Sequence, residues 1–203
     1  VDSADAALAV VAQGRERGVK FTVLIEIDTD GHRSGIQPEQ DALIEVGRLL
    51  HEGGMTLAGV MTHAGGSYAC NTPEALQAMA EQERARCVRA AERLRQAGLP
   101  CPVVSVGSTP TALSARALPG VTEVRAGVYV FFDLVMANIG VCGLQDVALS
   151  VLTTVIGHQA DKGWAIVVPA YALENGTLKG TQMRYDAPAK DGKRALIAHQ
   201  AAI

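Results

Sequence analysis

No two of the four cysteines, Cys70, Cys87, Cys101 and Cys142, stand at a paired spacing. That absence argues against a zinc finger and against a disulfide framework, and leaves isolated reduced thiols as the expectation. Charge of either sign is equally short: the net charge of -3 and the sequence pI near 6.0 give no electrostatic footprint for nucleic acid or for an anionic membrane. A small molecule is the better partner. No apolar run approaches the roughly 18 residues needed to cross a bilayer, and no basic, apolar leader opens the sequence, so the expected location is cytoplasmic. An initiator methionine is missing too, and a fragment or a chain cut at both ends is expected.

What the sequence does have is enough apolar material for a core: 48% of its 203 residues are hydrophobic and 19% charged, the balance of an ordinary globular protein. Asp2 and Ser3 cap a helix with Ala4, Ala7, Leu8 and Val11 at helical spacing, running to Gly18. Phe21 to Ile27 then reads as a parallel strand buried on both faces. After a loop over Asp28 to Gln37, Pro38 is expected to open a helix closed by Gly53-Gly54. A strand over Thr56 to Met61 follows. Thr72-Pro73 caps a long helix ending at Gly98, and a strand at Val103 to Val106 leads into a short helix. Val121 to Val124 makes the fourth strand, with a helical turn near Leu134 to Asn138 behind it.

The pattern is four strand-helix units, and a full (β/α)8 barrel has eight in about 250 residues. Residues 1–144 are therefore read as half of such an α/β barrel. From Asp146 onward the period changes: Val147, Leu149, Val151, Thr153 and Val155 alternate with their neighbours as in an antiparallel strand. A turn at Asp161 to Gly163 and a partner strand, Trp164 to Val168, complete a hairpin, so residues 145–203 are assigned to a β domain. Beyond Pro169 only an Asn175-Gly176 turn stands out.

Four stretches carry candidate chemistry, and each follows a predicted strand. Ser105 to Thr111, SVGSTPT, places small and hydroxylated residues where backbone N–H groups can converge on a phosphate; its plain reading is a Gly-Ser turn with Thr109 as N-cap. His63 to Tyr68, HAGGSY, joins two glycines that permit close approach to two rings that can pack or hydrogen-bond. Asp28 to Gly35, DTDGHRSG, sets Arg33 above the end of the first strand, or is simply a solvated polar loop. Arg125 to Asp133, RAGVYVFFD, offers Gly127 and Tyr129 to close over a ligand, or is an aromatic strand packed into a core. In a barrel, strand ends of this kind meet in one pocket.

With these stretches in order, the chain resembles fold-type III pyridoxal-phosphate enzymes with an alanine-racemase-like barrel, and among them the eukaryotic-type D-serine dehydratases. IEIDTDGHRSG, GVMTHAGGSY, SVGSTPT, TEVRAGVYVFFDL and DVALSVLTTVIGH carry the resemblance, from about Phe21 to Val167. D-threonine aldolases share the order but are less similar around GSTPT and VYVFFD. The resemblance implies that Gly107, Ser108 and Thr109 seat the cofactor's phosphate, with Gly127 and Tyr129 on its other side. It implies that Arg33 hydrogen-bonds the phenolic oxygen, that His63 packs on the pyridine ring, and that Tyr68 lies close to the cofactor. Ala126 and Val128 depart from the proline and asparagine of the family pattern.

Two departures are larger. The family attaches its cofactor through a lysine on the first barrel strand, and none of the five lysines here, Lys20, Lys162, Lys179, Lys190 and Lys193, fits that position. No catalytic residue is identified. The dehydratases also hold zinc through an H-x-C pair near the C-terminus, where His199 is followed by Gln200 and Ala201, so no metal ligand is assigned. The expected parent activity is dehydration of a 3-hydroxy-D-amino acid, D-serine first, with pyridoxal phosphate as electron sink, zinc as Lewis acid and a homodimer as the assembly. Retro-aldol cleavage of D-threonine is the alternative within the scaffold. From other classes come a non-catalytic pyridoxal-phosphate carrier or remnant, and a sugar-phosphate barrel using GSTPT.

Overall fold

The computed structural model describes residues 1–149, 155–161, 164–167, 171–174, 177–180 and 185–186. Two compact units emerge, Val1–Tyr129 and Val130–Ile203. The first is built from α1 (Ala4–Arg17), β1 (Thr22–Ile27), α2 (Ala42–Glu52), β2 (Thr56–Thr62), α3 (Pro73–Gln96), β3 (Val103–Val106), α4 (Thr109–Ser114) and β4 (Glu123–Val124). Its strands form one parallel sheet in the order β1-β2-β3-β4, the alternation of a (β/α) barrel. Pairs run Thr22↔Thr56 to Ile27↔Thr62, Gly59↔Val103 to Met61↔Ser105, and Ser105↔Glu123 with Val106↔Val124.

Local chemistry accounts for the element ends. Ser3 accepts from Ala6 N–H at the start of α1, and Gly18 closes it at φ 63°, a left-handed conformation that suits glycine. Thr72 accepts from Ala75 N–H ahead of Pro73 in α3. α2 begins at Ala42, four residues later than Pro38 suggests, because Gln40 N–H folds back to Gln37 O and the helical turn begins only after that bend. β4 is shorter than the four residues expected: Val121 N–H is spent on Leu118 O in a turn, and pairing to β3 begins with Thr122 N–H to Val104 O.

The core lies between the sheet and its helices. Ile25, Ile27, Leu43, Val46, Leu50, Val60, Leu94 and Val104 are fully buried or nearly so. β1 alternates instead of burying both faces: Val23, Ile25 and Ile27 point into the helices, while Leu24 and Glu26 on the other face are half-covered. α3 carries arginines that fix the loops around it. Arg86 and Gln82 donate to Thr29 O, Arg84 to Pro119 O, Arg93 to Pro38 O and Gln40 O, and Arg95 to Cys101 O. The carbonyls of the β1 loop and of the segment before α2 therefore find donors on one helix.

In the second unit, α5 (Leu134–Asn138) is capped by Asp133, which accepts from Met136 N–H. Val147 to Leu149 is not strand, and residues 150–154 of the expected alternation lie outside the described residues; β5 (Val155–Gln159) is its structured end. The hairpin partner is β6 (Trp164–Val167), antiparallel with Gln159↔Trp164 in register. The short strands β7 (Tyr171–Glu174) and β8 (Thr177–Gly180) pair antiparallel, and β9 (Tyr185–Asp186) adds to β6. Asn175-Gly176, His199, Lys162, Lys190 and Lys193 lie outside the described residues.

Candidate functional site

The loops after β1, β2, β3 and β4 follow the C-terminal ends of the parallel strands, and hydrogen bonds or ring contacts join six of the eight residues expected there, His63, Tyr68, Gly107, Ser108, Thr109 and Tyr129, into the turns. His63 follows β2 and Gly107 follows β3; Nδ1 of His63 lies 3.1 Å from Gly107 O. A carbonyl oxygen has no proton to give, so Nδ1 carries it, and in the neutral ring Nε2 is left as an acceptor. Burial and the nearby cations Arg33 and Arg125 hold the imidazole below its ordinary value of 6.5, which favours that neutral form. The Tyr68 ring stacks on His63, centroids 6.0 Å apart and planes inclined by 23°.

The turn after β3 is built from its own hydroxyls. Gly107 sits at φ 136°, and a Cβ on it would fall 2.0 Å from Arg125 O, so only glycine lets β3 and the β4 exit approach this closely. Ser108, not Thr109, is the N-cap of α4: Ser108 N–H donates to Thr111 Oγ1, and Thr111 N–H to Ser108 Oγ. Ser67 Oγ lies 3.0 Å from Ser108 Oγ and joins the two turns. Thr109 Oγ1 accepts from Tyr129 N–H at 3.2 Å, which draws the β4 exit onto the turn. The Tyr129 side chain itself is 51% exposed, and Gly127 has open space around it. Arg33 is exposed above Gly65, where an added Cβ would meet its Cγ at 3.0 Å. Asp30 Oδ2 accepts from Gly66 N–H at 2.7 Å and pins the β1 loop to the HAGGSY turn.

Three groups escaped the sequence reading. Arg125 donates from Nε to Ser105 Oγ at 2.7 Å and from Nη2 to Thr62 O, bracing the exits of β2, β3 and β4 against one another. It stands in RAGVYVFFD, where the glycine and aromatic residues give the stronger local signal. Ser67 lies within HAGGSY as an unremarkable small residue. Glu83 is 2% exposed on α3 and accepts from both Ala64 N–H, at 2.9 Å, and Gly107 N–H, at 3.2 Å. Burial pushes its carboxyl above the ordinary 4.5 despite those donors. The signal for Glu83 was available: Leu76, Ala80, Glu83, Cys87, Ala90 and Leu94 form one buried stripe, and a carboxylate there must have partners.

Among the lysines, Lys20 precedes β1 at the opposite end of the sheet from these loops, and Lys179 lies in β8. Among the described residues no group of three or more His, Cys, Asp or Glu is arranged to hold a metal ion.

Parallel strands whose C-terminal loops carry a histidine, a hydroxyl-rich turn and an arginine are arranged as in the alanine-racemase-like barrels of the fold-type III pyridoxal-phosphate enzymes. The chain belongs to the family described as alanine racemase, N-terminal domain, whose model matches residues 1–135. It is 73% identical over 186 residues to D-threo-3-hydroxyaspartate dehydratase of Delftia sp. (strain HT23), a match covering 90% of this chain and 49% of that protein. The solved structure of that dehydratase superposes with a TM-score of 0.77 at 72% identity, over 83% of this chain and 45% of the other. D-serine dehydratase of Dictyostelium discoideum is 29% identical over 156 residues, 73% of this chain and 40% of that protein. The chain spans about half the length of the curated relatives it matches.

Proposed function

We propose that this protein is a pyridoxal-phosphate-dependent lyase acting on 3-hydroxy-D-amino acids, with D-threo-3-hydroxyaspartate the preferred substrate, and that Val1–Tyr129 holds the cofactor. The observation carrying this reading is the 73% identity, which spans the whole line His63, Gly107, Thr109 and Tyr129 at the strand ends. D-serine, the substrate first expected, belongs to a relative at 29% identity, so similarity favours the four-carbon diacid.

The residues fit the group. Gly107, Gly65 and Gly66 let the strand-end turns close on Arg125, Arg33 and Asp30 with no side chain between, which brings the hydroxyl turn and the His63 turn together, and the neutral His63 ring, stacked with Tyr68, suits an aromatic ligand. In this reading Gly107 to Thr109, with Tyr129 and Gly127, hold the phosphate, and Arg33 favours the ionised phenolic oxygen. Pyridoxal phosphate, when bound, supplies an electron sink for the charge that develops at the substrate's α-carbon. Two cations, Arg33 and Arg125, against one anion, Asp30, act on His63, a balance that suits a substrate with two carboxylates. Loss of the hydroxyl and of the α-proton, followed by hydrolysis, converts 3-hydroxyaspartate to oxaloacetate and ammonia. Zinc finds no donor set among the described residues, and no step is assigned to it. Pairing of two copies into a homodimer belongs to the same proposal.

The lysine positions favour a second reading for the 203 residues on their own, in which they bind the cofactor without covalent attachment and without turnover. Offering D-threo-3-hydroxyaspartate, D-serine and D-threonine to the purified protein loaded with pyridoxal phosphate decides among these, and cofactor binding with no turnover of any of the three would favour the second reading. Oxaloacetate and ammonia from the first substrate, faster than pyruvate from the second, is the expected result. Glycine and acetaldehyde from D-threonine as the main products would refute it.

A further inference from the structure

The chain contains a buried carboxylate that no step above uses. Glu83 sits on the inner stripe of α3, and its Oε1 receives two backbone N–H groups from different strand exits: Ala64, beside His63, and Gly107, at the head of the hydroxyl turn. Thr111 lies close to the same carboxylate and opposes the effect of its burial. Thr111 is tied to Ser108, and Ser108 to Ser67, so a second set of buried bonds joins the same two turns beside Glu83. Leaving a charge this deeply buried is unfavourable unless it organises its neighbours.

We propose that Glu83 is a positioning residue that locks the turn after β2 to the turn after β3, and thereby aims His63 and Gly107 to Thr109 at one phosphorylated aromatic ligand. The inference rests on the cofactor reading above. Its consequence for that reading is specific: the Gly107 N–H is committed to Glu83 and does not reach the phosphate, so Gly107 acts through its backbone shape and its carbonyl. Charge at Glu83 is secondary to geometry, because both N–H donors meet the same oxygen. A glutamine placing its carbonyl there keeps both bonds.

The test uses the whole chain and pyridoxamine 5'-phosphate, which needs no lysine, against pyridoxamine as the ligand without phosphate. Calorimetric affinities give the preference for the phosphorylated form, and amide hydrogen exchange at Ala64 and Gly107, without ligand, reports the lock by itself. Glu83→Ala is expected to lower the phosphate preference about tenfold, the scale of losing charge-assisted hydrogen bonds, and to speed exchange at both amides. Glu83→Gln should keep the preference within about twofold and leave both amides protected. Glu83→Asp, a milder withdrawal of the carboxylate, serves the same comparison if the alanine variant does not fold. Unchanged exchange at Ala64 and Gly107 in the alanine or aspartate variant would overturn the lock. Faster exchange with an unchanged phosphate preference would overturn its role in aiming the site. A wild-type chain that binds both ligands equally would instead overturn the cofactor reading, even where exchange shows the lock intact.

Discussion

Replacing Gly107 by alanine is the sharpest perturbation of the turn after β3. The new Cβ would stand 2.0 Å from Arg125 O, and contacts below 3.0 Å do not persist, so the carbonyl must retreat by at least 3.0 − 2.0 = 1.0 Å. That carbonyl belongs to a residue whose N–H pairs with Val106 O at 2.8 Å, and the retreat disturbs this bond as well as the Gly107 contacts with His63 and Glu83. Forcing alanine to φ 136° costs about 1–3 kcal/mol, and weakening one or two hydrogen bonds adds about 0.5–1.5 kcal/mol each. A loss of roughly 2–5 kcal/mol is therefore expected from urea unfolding midpoints. Gly127→Ala is the internal control: a Cβ there meets nothing within 4 Å and its φ is not left-handed, so its stability should stay within about 0.5 kcal/mol of wild type. If Gly107→Ala unfolds at the same urea concentration as Gly127→Ala, the close approach of β3 to the β4 exit is not the constraint described here.

Other consequences can be checked with simpler experiments. Ser67→Ala removes the buried bond to Ser108 and should destabilise by about 1–2 kcal/mol in the same urea assay. His63 is held below 6.5 in the folded chain, so the stability it contributes is present above that pH and is lost as pH falls; a neutral glutamine at 63 should flatten that part of the pH–stability curve. Glu83 is shifted the other way, so the folded chain binds its proton more tightly than the unfolded chain does. Wild type should lose stability relative to Glu83→Gln as pH rises above 4.5, measured by thermal melts in a buffer series. Burial pushes the Cys87 thiol up to about 12, and burial with the nearby Asp146 and Asp133 also raises Cys142, so iodoacetamide at pH 8 should modify the partly exposed Cys70 ahead of Cys142 and spare Cys87.

Much of this molecule could be read from its sequence, because local rules and tertiary outcome agree over most of Val1–Tyr129. Ser3, Gly18 and Thr72 each do at a helix end what their chemistry allows, and β3 begins and ends where its branched residues do. The misplacements are equally physical. Pro38 has the fixed φ of a helix start, but Gln37 and Gln40 close a separate bend first. Thr109 looks like an N-cap until Thr111, whose hydroxyl takes the Ser108 N–H, completes a box one residue earlier. At the strand ends, the sequence picked out residues of the turns themselves and missed those that brace them. Glu83 lies in a helix crowded with charges, and only its place on the buried stripe separates it from solvated neighbours such as Glu81. Arg125 pairs with carbonyl and hydroxyl oxygens of other strands, contacts that no local pattern encodes.

The central claim is that the turn after β3 seats the phosphate of a pyridoxal-type cofactor. Backbone amide resonances of the 203-residue chain, followed during titration with pyridoxamine 5'-phosphate, test it most directly. The account predicts saturable shifts confined to Gly107 to Thr109, Tyr129 and the His63 to Tyr68 segment, absent with pyridoxamine alone. Shifts centred elsewhere, or none at millimolar ligand, would contradict it.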